Sequence, residues 1–245
     1  PVRLHLSREE EFVTITKHGV RIHMKTGVTK DGRITARKST CYFNTGAYAD
    51  IGPRLIKNGG FATGGPHKID NVWVDSYAVY TNLAPAGAFR GYGVSQAAWA
   101  YDSQMDMIAE RMGWDPYQFR MQNLVRENDR IMTGEPMIDA HFTDLLQVAA
   151  ERIGWDADEK VVRNGNKVRA KGLSTIIKAS VTPSTSTASV KLNEDGTLQI
   201  LSSAVEMGQG AETTLSVLGG EVLDLRIDQV SITHPDTDYT PYDQG

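Results

Sequence analysis

The chain has 245 residues, 26 Lys plus Arg against 30 Asp plus Glu for a net charge of −4, and 40% hydrophobic residues, a globular composition that excludes disorder and fibre. Its single cysteine, Cys41, excludes a disulfide framework, a cysteine-based zinc site and an iron–sulfur cluster built from this chain alone. A pI near 5.9 without a long basic block argues against nucleic acid, and no apolar run approaches the roughly 20 residues of a membrane span, so a cytoplasmic location is expected. From Phe12 to Ala47 the pattern is β-like: Val13-Thr14-Ile15-Thr16 and then Val20 to Lys25 alternate apolar and polar, and Asp31-Gly32 joins the second run to Ile34–Phe43 as a hairpin. Gly59-Gly60 and Gly64-Gly65-Pro66 read as loops around a short segment, and Val72–Tyr80 reads as a strand.

The spacing of Ala97, Ala98, Tyr101, Met105, Ile108 and Met112 predicts a helix over 95–112, with Gly113 as its left-handed cap. Asp115-Pro116 starts a second helix, and Thr143 caps a third in which Leu145, Leu146, Ala149 and Ile153 face inward. Charge density rises and periodicity vanishes after Trp155, so 156–171 is expected to link a domain at 1–155 to one at 172–245. In the second, Thr187–Leu192 and Leu198–Ala204 form a hairpin around Glu194-Asp195-Gly196. A helix over 212–223 and a strand at Val230–Thr233 complete a strand, helix, strand unit, although Gly219-Gly220 weakens that helix by roughly 1 kcal/mol per glycine. Pro1-Val2-Arg3-Leu4 at one end and Tyr242-Asp243-Gln244-Gly245 at the other read as the edges of an excised segment.

Several patterns fail as sites. Gly91-Tyr92-Gly93 opens like a dinucleotide fingerprint, but Gln96 stands where close packing wants a small residue. Asp236-Thr237-Asp238 begins like a calcium loop, yet Pro241 holds the place of the turn glycine. His18 and His23, five apart on an extended pattern, point to opposite faces. Asp102, Asp106 and Glu110 make a helix stripe that could hold a cation but is more often a solvated face, and Glu135 sits in a turn. Two segments resist such readings. In Ala84-Pro85-Ala86-Gly87-Ala88-Phe89-Arg90-Gly91-Tyr92-Gly93, glycines crowd one Arg and two aromatics just before a helix, where close backbone approach and positive charge favour an anion. In Val205-Glu206-Met207-Gly208-Gln209-Gly210 the chain leaves a strand for a helix, and free amides with the Gln209 side chain suit a polar, anionic cofactor. Either could also be a tight turn.

Together these two segments resemble signatures of the molybdenum hydroxylases, the xanthine dehydrogenase and aldehyde oxidoreductase family, in its large molybdopterin-binding subunit. Pro1–Leu4 with Ser7-Arg8-Glu9-Glu10-Glu11, Asn44-Thr45-Gly46-Ala47-Tyr48, and Asp236–Asp238 with Pro241 carry the same likeness across nearly the whole chain. The resemblance implies an α+β fold, mixed sheets with packed helices, forming parts of two molybdopterin-binding domains. It implies that Phe89, Arg90 and Gly91 lie beside the molybdenum, that Tyr92 is an aromatic wall for a flat substrate, and that Met207, Gly208, Gln209 and Gly210 grip the pterin. The metal would be held through the pterin, without a direct protein ligand, and the pterin would carry a nucleotide. The two segments would then form two walls of one cavity.

The implied activity is hydroxylation of an aromatic N-heterocycle or an aldehyde with metal-bound, water-derived oxygen. Electrons would pass to 2Fe–2S clusters and FAD on partner subunits or domains of a hetero-oligomer. Related possibilities are reduction of an aromatic acyl-CoA thioester, or a non-catalytic interaction module. The family's catalytic Gly-Glu-Pro glutamate falls downstream of this chain and is not assigned to Glu135, so the isolated chain is expected to be inactive. Within that resemblance, the absence of Cys in 88–93 argues against carbon monoxide oxidation, and Asn58, in the region where xanthine enzymes place an Arg for the purine, argues weakly against xanthine.

Overall fold

A computed structural model describes residues 4–155, 160–178 and 184–243. Pro1-Val2-Arg3, the first four residues of the expected linker and Gln244-Gly245 lie outside the described residues. The fold is α+β, and the chain divides into two compact units, 1–178 and 179–245.

The first unit opens with a helix, α1 (Arg8–Thr14), where alternation in Val13–Thr16 suggested a strand. Ser7 Oγ accepts from the Glu10 amide, the Glu10 carboxylate accepts from the Ser7 amide, and Glu9 to Glu11 place negative charge at the helix's positive end. Reciprocal capping outweighs four residues of alternation, and only Thr16–Lys17 (β1) of that run pairs as a strand. Then β2 (Val20–Val28) and β3 (Ile34–Gly46) form the expected antiparallel hairpin, pairing Ile22 with Cys41 and Val20 with Phe43.

From β3 the chain crosses through α2 (Gly52–Ala62) to β4 (Asn71–Tyr80), which lies parallel to β3, so the sheet runs β2-β3-β4. Gly59-Gly60, read as a loop, lies inside α2. A Cβ on Gly59 would stand 2.6 Å from the Phe43 ring and one on Gly60 3.0 Å from Ser76 Cβ. Close approach of helix to sheet offsets a propensity cost of about 1 kcal/mol per glycine. Arg37, fully buried on β3, donates from one terminal nitrogen to the carbonyls of Thr63 (3.0 Å) and Gly64 (2.9 Å), placing a cation at the helix's negative end.

After Ala86–Gly87 (β5), α3 (Val94–Met112) ends at Gly113 with φ +71°, and α4 (Pro116–Asn123) is capped by Asp115, both as expected. Ile34, Met105, Ala109 and Phe119 form one core cluster, and Cys41, Phe43 and Leu55 another. The acidic stripe of α3 holds a protein cation. Buried Arg120 reaches Asp102 Oδ1 at 2.9 Å and Asp106 Oδ1 at 2.7 Å, while Glu110 is left exposed.

In α5 (Phe142–Arg152) the N-cap is His141 rather than Thr143, and Leu146 and Ala150 are buried while Leu145, Ala149 and Ile153 are exposed. Two adjacent four-residue ladders compete on this helix, and hydrophobicity alone does not choose between them. Within the stretch that shows no periodicity, β6 (Val161–Asn164) and β7 (Lys167–Ala170) pair as a small exposed hairpin.

The second unit follows the sequence closely. The strands β8 (Ala188–Leu192) and β9 (Leu198–Ser202) form a hairpin, α6 (Ala211–Leu223) follows, and β10 (Val230–Thr233) lies parallel to β9. A Cβ on Gly219 would approach Ile200 Cδ1 to 2.8 Å, so the helix glycine makes room for the sheet. No helix of the described residues is long and apolar enough to cross a membrane.

Candidate functional site

The loop 84–93 begins under constraint. Gly46, at the end of β3, has φ +76°, and a Cβ there would lie 2.2 Å from the Ala84 carbonyl oxygen. Ala86 and Gly87 then pair in parallel with Thr16 and Lys17, and the Thr16 amide donates to the Pro85 carbonyl at 3.0 Å. Beyond this bridge, Ala88, Phe89 and Arg90 emerge into solvent, Phe89 with 57% of its surface exposed. Gly91, Tyr92 and Gly93 follow with φ +91°, +48° and +89°, a left-handed run that only a glycine-flanked segment accepts easily. It delivers the chain into α3, with Gly93 as N-cap and no side-chain cap.

Distant groups hold this shape. The Lys17 ammonium donates to Ser95 Oγ at 2.6 Å and to the Arg90 carbonyl at 3.3 Å, and stands 5.3 Å from the centre of the Phe89 ring. Asn58 Nδ2 donates to the Tyr92 carbonyl, and Gln96 Nε2 to the His18 carbonyl. The Arg90 guanidinium has no carboxylate partner among the described residues, so it is available to an external anion.

Tyr92 packs against the Cys41, Phe43 and Leu55 cluster. Its hydroxyl is buried without a hydrogen-bond partner among the described residues, and burial holds its pKa above the ordinary phenol value. His18, 2% exposed, likewise makes no well-formed ring hydrogen bond among the described residues, and burial lowers its pKa against the opposing pull of the Gly87 backbone and Asp50. Reading the sequence for metal pairs overlooked Lys17 and His18 in this role; their signal is a polar pair at a strand end, which only its pairing partner makes meaningful.

The loop 205–210 is built differently. The amides expected to be free are bonded: Glu206 Oε1 accepts from Gly208 at 2.6 Å and Gly210 at 3.1 Å, and Oε2 from Glu212 at 3.4 Å. These amides hold the Glu206 carboxyl below the usual carboxylate range. Gln209 accepts from the Met207 amide and donates to the Val205 carbonyl, both at 2.7 Å, so its side chain turns back on its own loop. Met207 projects outward, 81% exposed, and no atom lies within 4 Å of where a Cβ of Gly208 or Gly210 would be. The Glu206 carboxylate shows that this turn accepts an oxyanion, and the chain itself supplies that oxyanion.

The discounted patterns stay quiet. Glu135 is an exposed turn residue touched by Thr133, Asp236 accepts from the Asp238 amide in a surface turn, and His23 is exposed against Tyr42. Cys41 is buried, its thiol pushed up to about 11 by burial. No group of three or more potential metal ligands occurs among the described residues.

Comparison with known proteins gives concordant results. Two family models, both described as a molybdopterin cofactor-binding domain, match residues 1–124 and 148–245. The chain is 34% identical over its whole length to a putative xanthine dehydrogenase molybdenum-binding subunit of Escherichia coli (strain K12). Over 62% of its length it is 40% identical to a nicotinate dehydrogenase large molybdopterin subunit of Eubacterium barkeri. It spans 34% and 36% of those relatives, about a third of each. Among solved structures, the aldehyde oxidoreductase of Desulfovibrio gigas superposes with a TM-score of 0.73 at 26% identity, over 92% of this chain and 26% of that one. Quinoline 2-oxidoreductase of Pseudomonas putida 86 gives 0.76 at 21% identity over 94% and 32%, a likeness of fold.

Proposed function

The chain belongs to the molybdopterin cofactor-binding family of the molybdenum hydroxylases, and on that premise we propose that the protein it represents is a molybdenum-dependent oxidoreductase hydroxylating an aromatic N-heterocycle or an aldehyde. Electrons would leave through FAD and 2Fe–2S groups on partner subunits or domains. The observation that carries the reading is the exposed Phe89–Arg90 pair, a guanidinium with no carboxylate partner among the described residues and an aromatic ring held ahead of a helix N-terminus by contacts from elsewhere in the fold. The bound molybdenum cofactor would supply a two-electron oxidation with oxygen drawn from water.

This chain's own residues bind and orient. Arg90 and Lys17 place two positive charges beside one loop, suited to an anionic pterin group, and Phe89 offers an apolar face. Tyr92 supplies a ring whose position is set by the Cys41–Phe43–Leu55 cluster beneath it. On the other loop, the bare backbone of Gly208 and Gly210 admits a close neighbour, with Met207 and Gln209 beside it. A pterin gripped by Gln209 would exchange that side chain's two local hydrogen bonds for bonds to the ligand.

The test uses the full-length protein with its partner subunits. Molybdenum and pterin should co-purify near one per chain. Arg90→Ala should lower kcat by about 100-fold, the scale of losing one preorganised electrostatic contact, and leave Tm unchanged because Arg90 is exposed. A metal-free preparation, or unchanged kinetics in the variant, would sink the reading.

A further inference from the structure

Lys17 stands at the only point where the exposed tip of the 84–93 loop is touched by a distant charged side chain among the described residues. It is half-buried and is the last residue of the β1–β5 bridge, so its backbone is fixed by pairing with Gly87. From there its ammonium spans the whole tip: the Arg90 carbonyl on one side, Ser95 Oγ in the first turn of α3 on the other, and the Phe89 ring at 5.3 Å. No carboxylate forms an ion pair with it among the described residues.

An unpaired ammonium tied to a backbone carbonyl and a hydroxyl does two things. It opposes rotation of the Arg90–Gly91 peptide, and it adds positive charge where the tip meets solvent. Of the remaining bonds of the tip, Tyr92 amide to Phe89 carbonyl at 2.8 Å and Val94 amide to Gly91 carbonyl at 3.0 Å are local turns, and Asn58 holds the Tyr92 carbonyl on the helix side, so among the described residues Lys17 is the distant group that reaches the Phe89–Arg90 end. We infer that Lys17 is a positioning residue that sets the direction in which Phe89 and Arg90 face the cofactor, acting through the Arg90 carbonyl, Ser95 and the Phe89 ring. This rests on the proposal that Phe89 and Arg90 face a bound cofactor.

The experiment compares wild type, Lys17→Met, Lys17→Arg and Ser95→Ala in the full-length protein with its partners. Hydrogen exchange resolved to the peptide covering 88–94 is read alongside molybdenum content, kcat and KM. Lys17→Met should speed exchange of the Tyr92 and Val94 amides by about tenfold while leaving the β2–β3 hairpin unchanged, and lower kcat by at least about tenfold at constant molybdenum content. Lys17→Arg should restore most of both. Ser95→Ala, which removes one anchor without altering charge, should give a smaller change in the same direction and serves if Lys17→Met fails to fold. Loop exchange and kcat both at wild-type values in Lys17→Met would overturn the inference, as would exchange rising equally across the first unit. Wild-type protein without molybdenum or turnover would defeat the functional reading instead, while the exchange comparison would still decide whether Lys17 holds the loop.

Discussion

The loops 84–93 and 205–210 carry similar letters, glycines alternating with polar and large residues before a helix, yet they are stabilised in opposite ways. In the first, Lys17, Asn58 and the β1–β5 bridge reach in from far along the chain, and close neighbours force its glycines, as Ile15 does at Gly87, and Ala84 presses on Gly46 beside the loop entry. In the second, the side-chain bonds among the described residues come from within seven residues, and Gly208 and Gly210 stand in open space. One loop inherits its shape from a folded scaffold, whereas the other makes its own. Damage at a distance should therefore reach the first loop and spare the second.

The largest effect should come from Gly46→Ala. A Cβ there, 2.2 Å from a backbone oxygen at φ +76°, forces the loop entry apart and should cost at least about 3 kcal/mol, read as a lower urea midpoint. Gly208→Ala, at φ +96° but with no neighbour, should cost about 1 to 2 kcal/mol from backbone strain alone. Equal costs would erase the contrast.

Acid should separate the regions next. His67, buried beside Gly64 and edge-on to Tyr101, is pushed down to about 3 by burial and then by the charge of Arg37. The unfolded chain takes up a proton in the ordinary imidazole range that the folded chain refuses. Stability of the first unit should thus fall as pH drops from that range toward 3, with a slope approaching about 1.4 kcal/mol per pH unit. His67→Gln should flatten that slope in pH-dependent urea titrations, and an unchanged slope would mean another group governs it.

The smallest effect belongs to Glu206. Its pKa is depressed by the amides it binds, so its contribution is present above the ordinary carboxylate range and is lost as pH falls through and below it. Glu206→Gln should weaken exchange protection of the Gly208 and Gly210 amides near neutral pH without changing the first unit. Protection equal to wild type would show that the turn does not depend on the carboxylate.

The sequence was legible wherever neighbours along the chain do the work. The β2–β3 hairpin, the Gly113 and Asp115 caps of the helices and the β9–α6–β10 unit follow from periodicity and turn residues, and the structure has them. It misled where two local signals competed, as at α1, where the Ser7–Glu10 capping box beat a short alternation. It misled again where a distant surface decided, as at Gly59-Gly60, which only the Phe43 ring and Ser76 explain. The loop motifs stood out by composition, but nothing in their letters tells that Glu206 fills its own amides or that Tyr92 is anchored on the core.

By itself the sequence determined most elements and the two glycine-rich loops, because capping, alternation and turn chemistry act within a few residues, while the α+β class came with the family resemblance those loops carry. The tertiary structure alone decided which charges are spent inside the fold and which face outward. Arg120 is absorbed by Asp102 and Asp106, Arg37 by helix-end carbonyls, and Arg90 is left open. Pairing and burial depend on distances between residues far apart in the chain, and those distances exist only once the sheet and helices have packed.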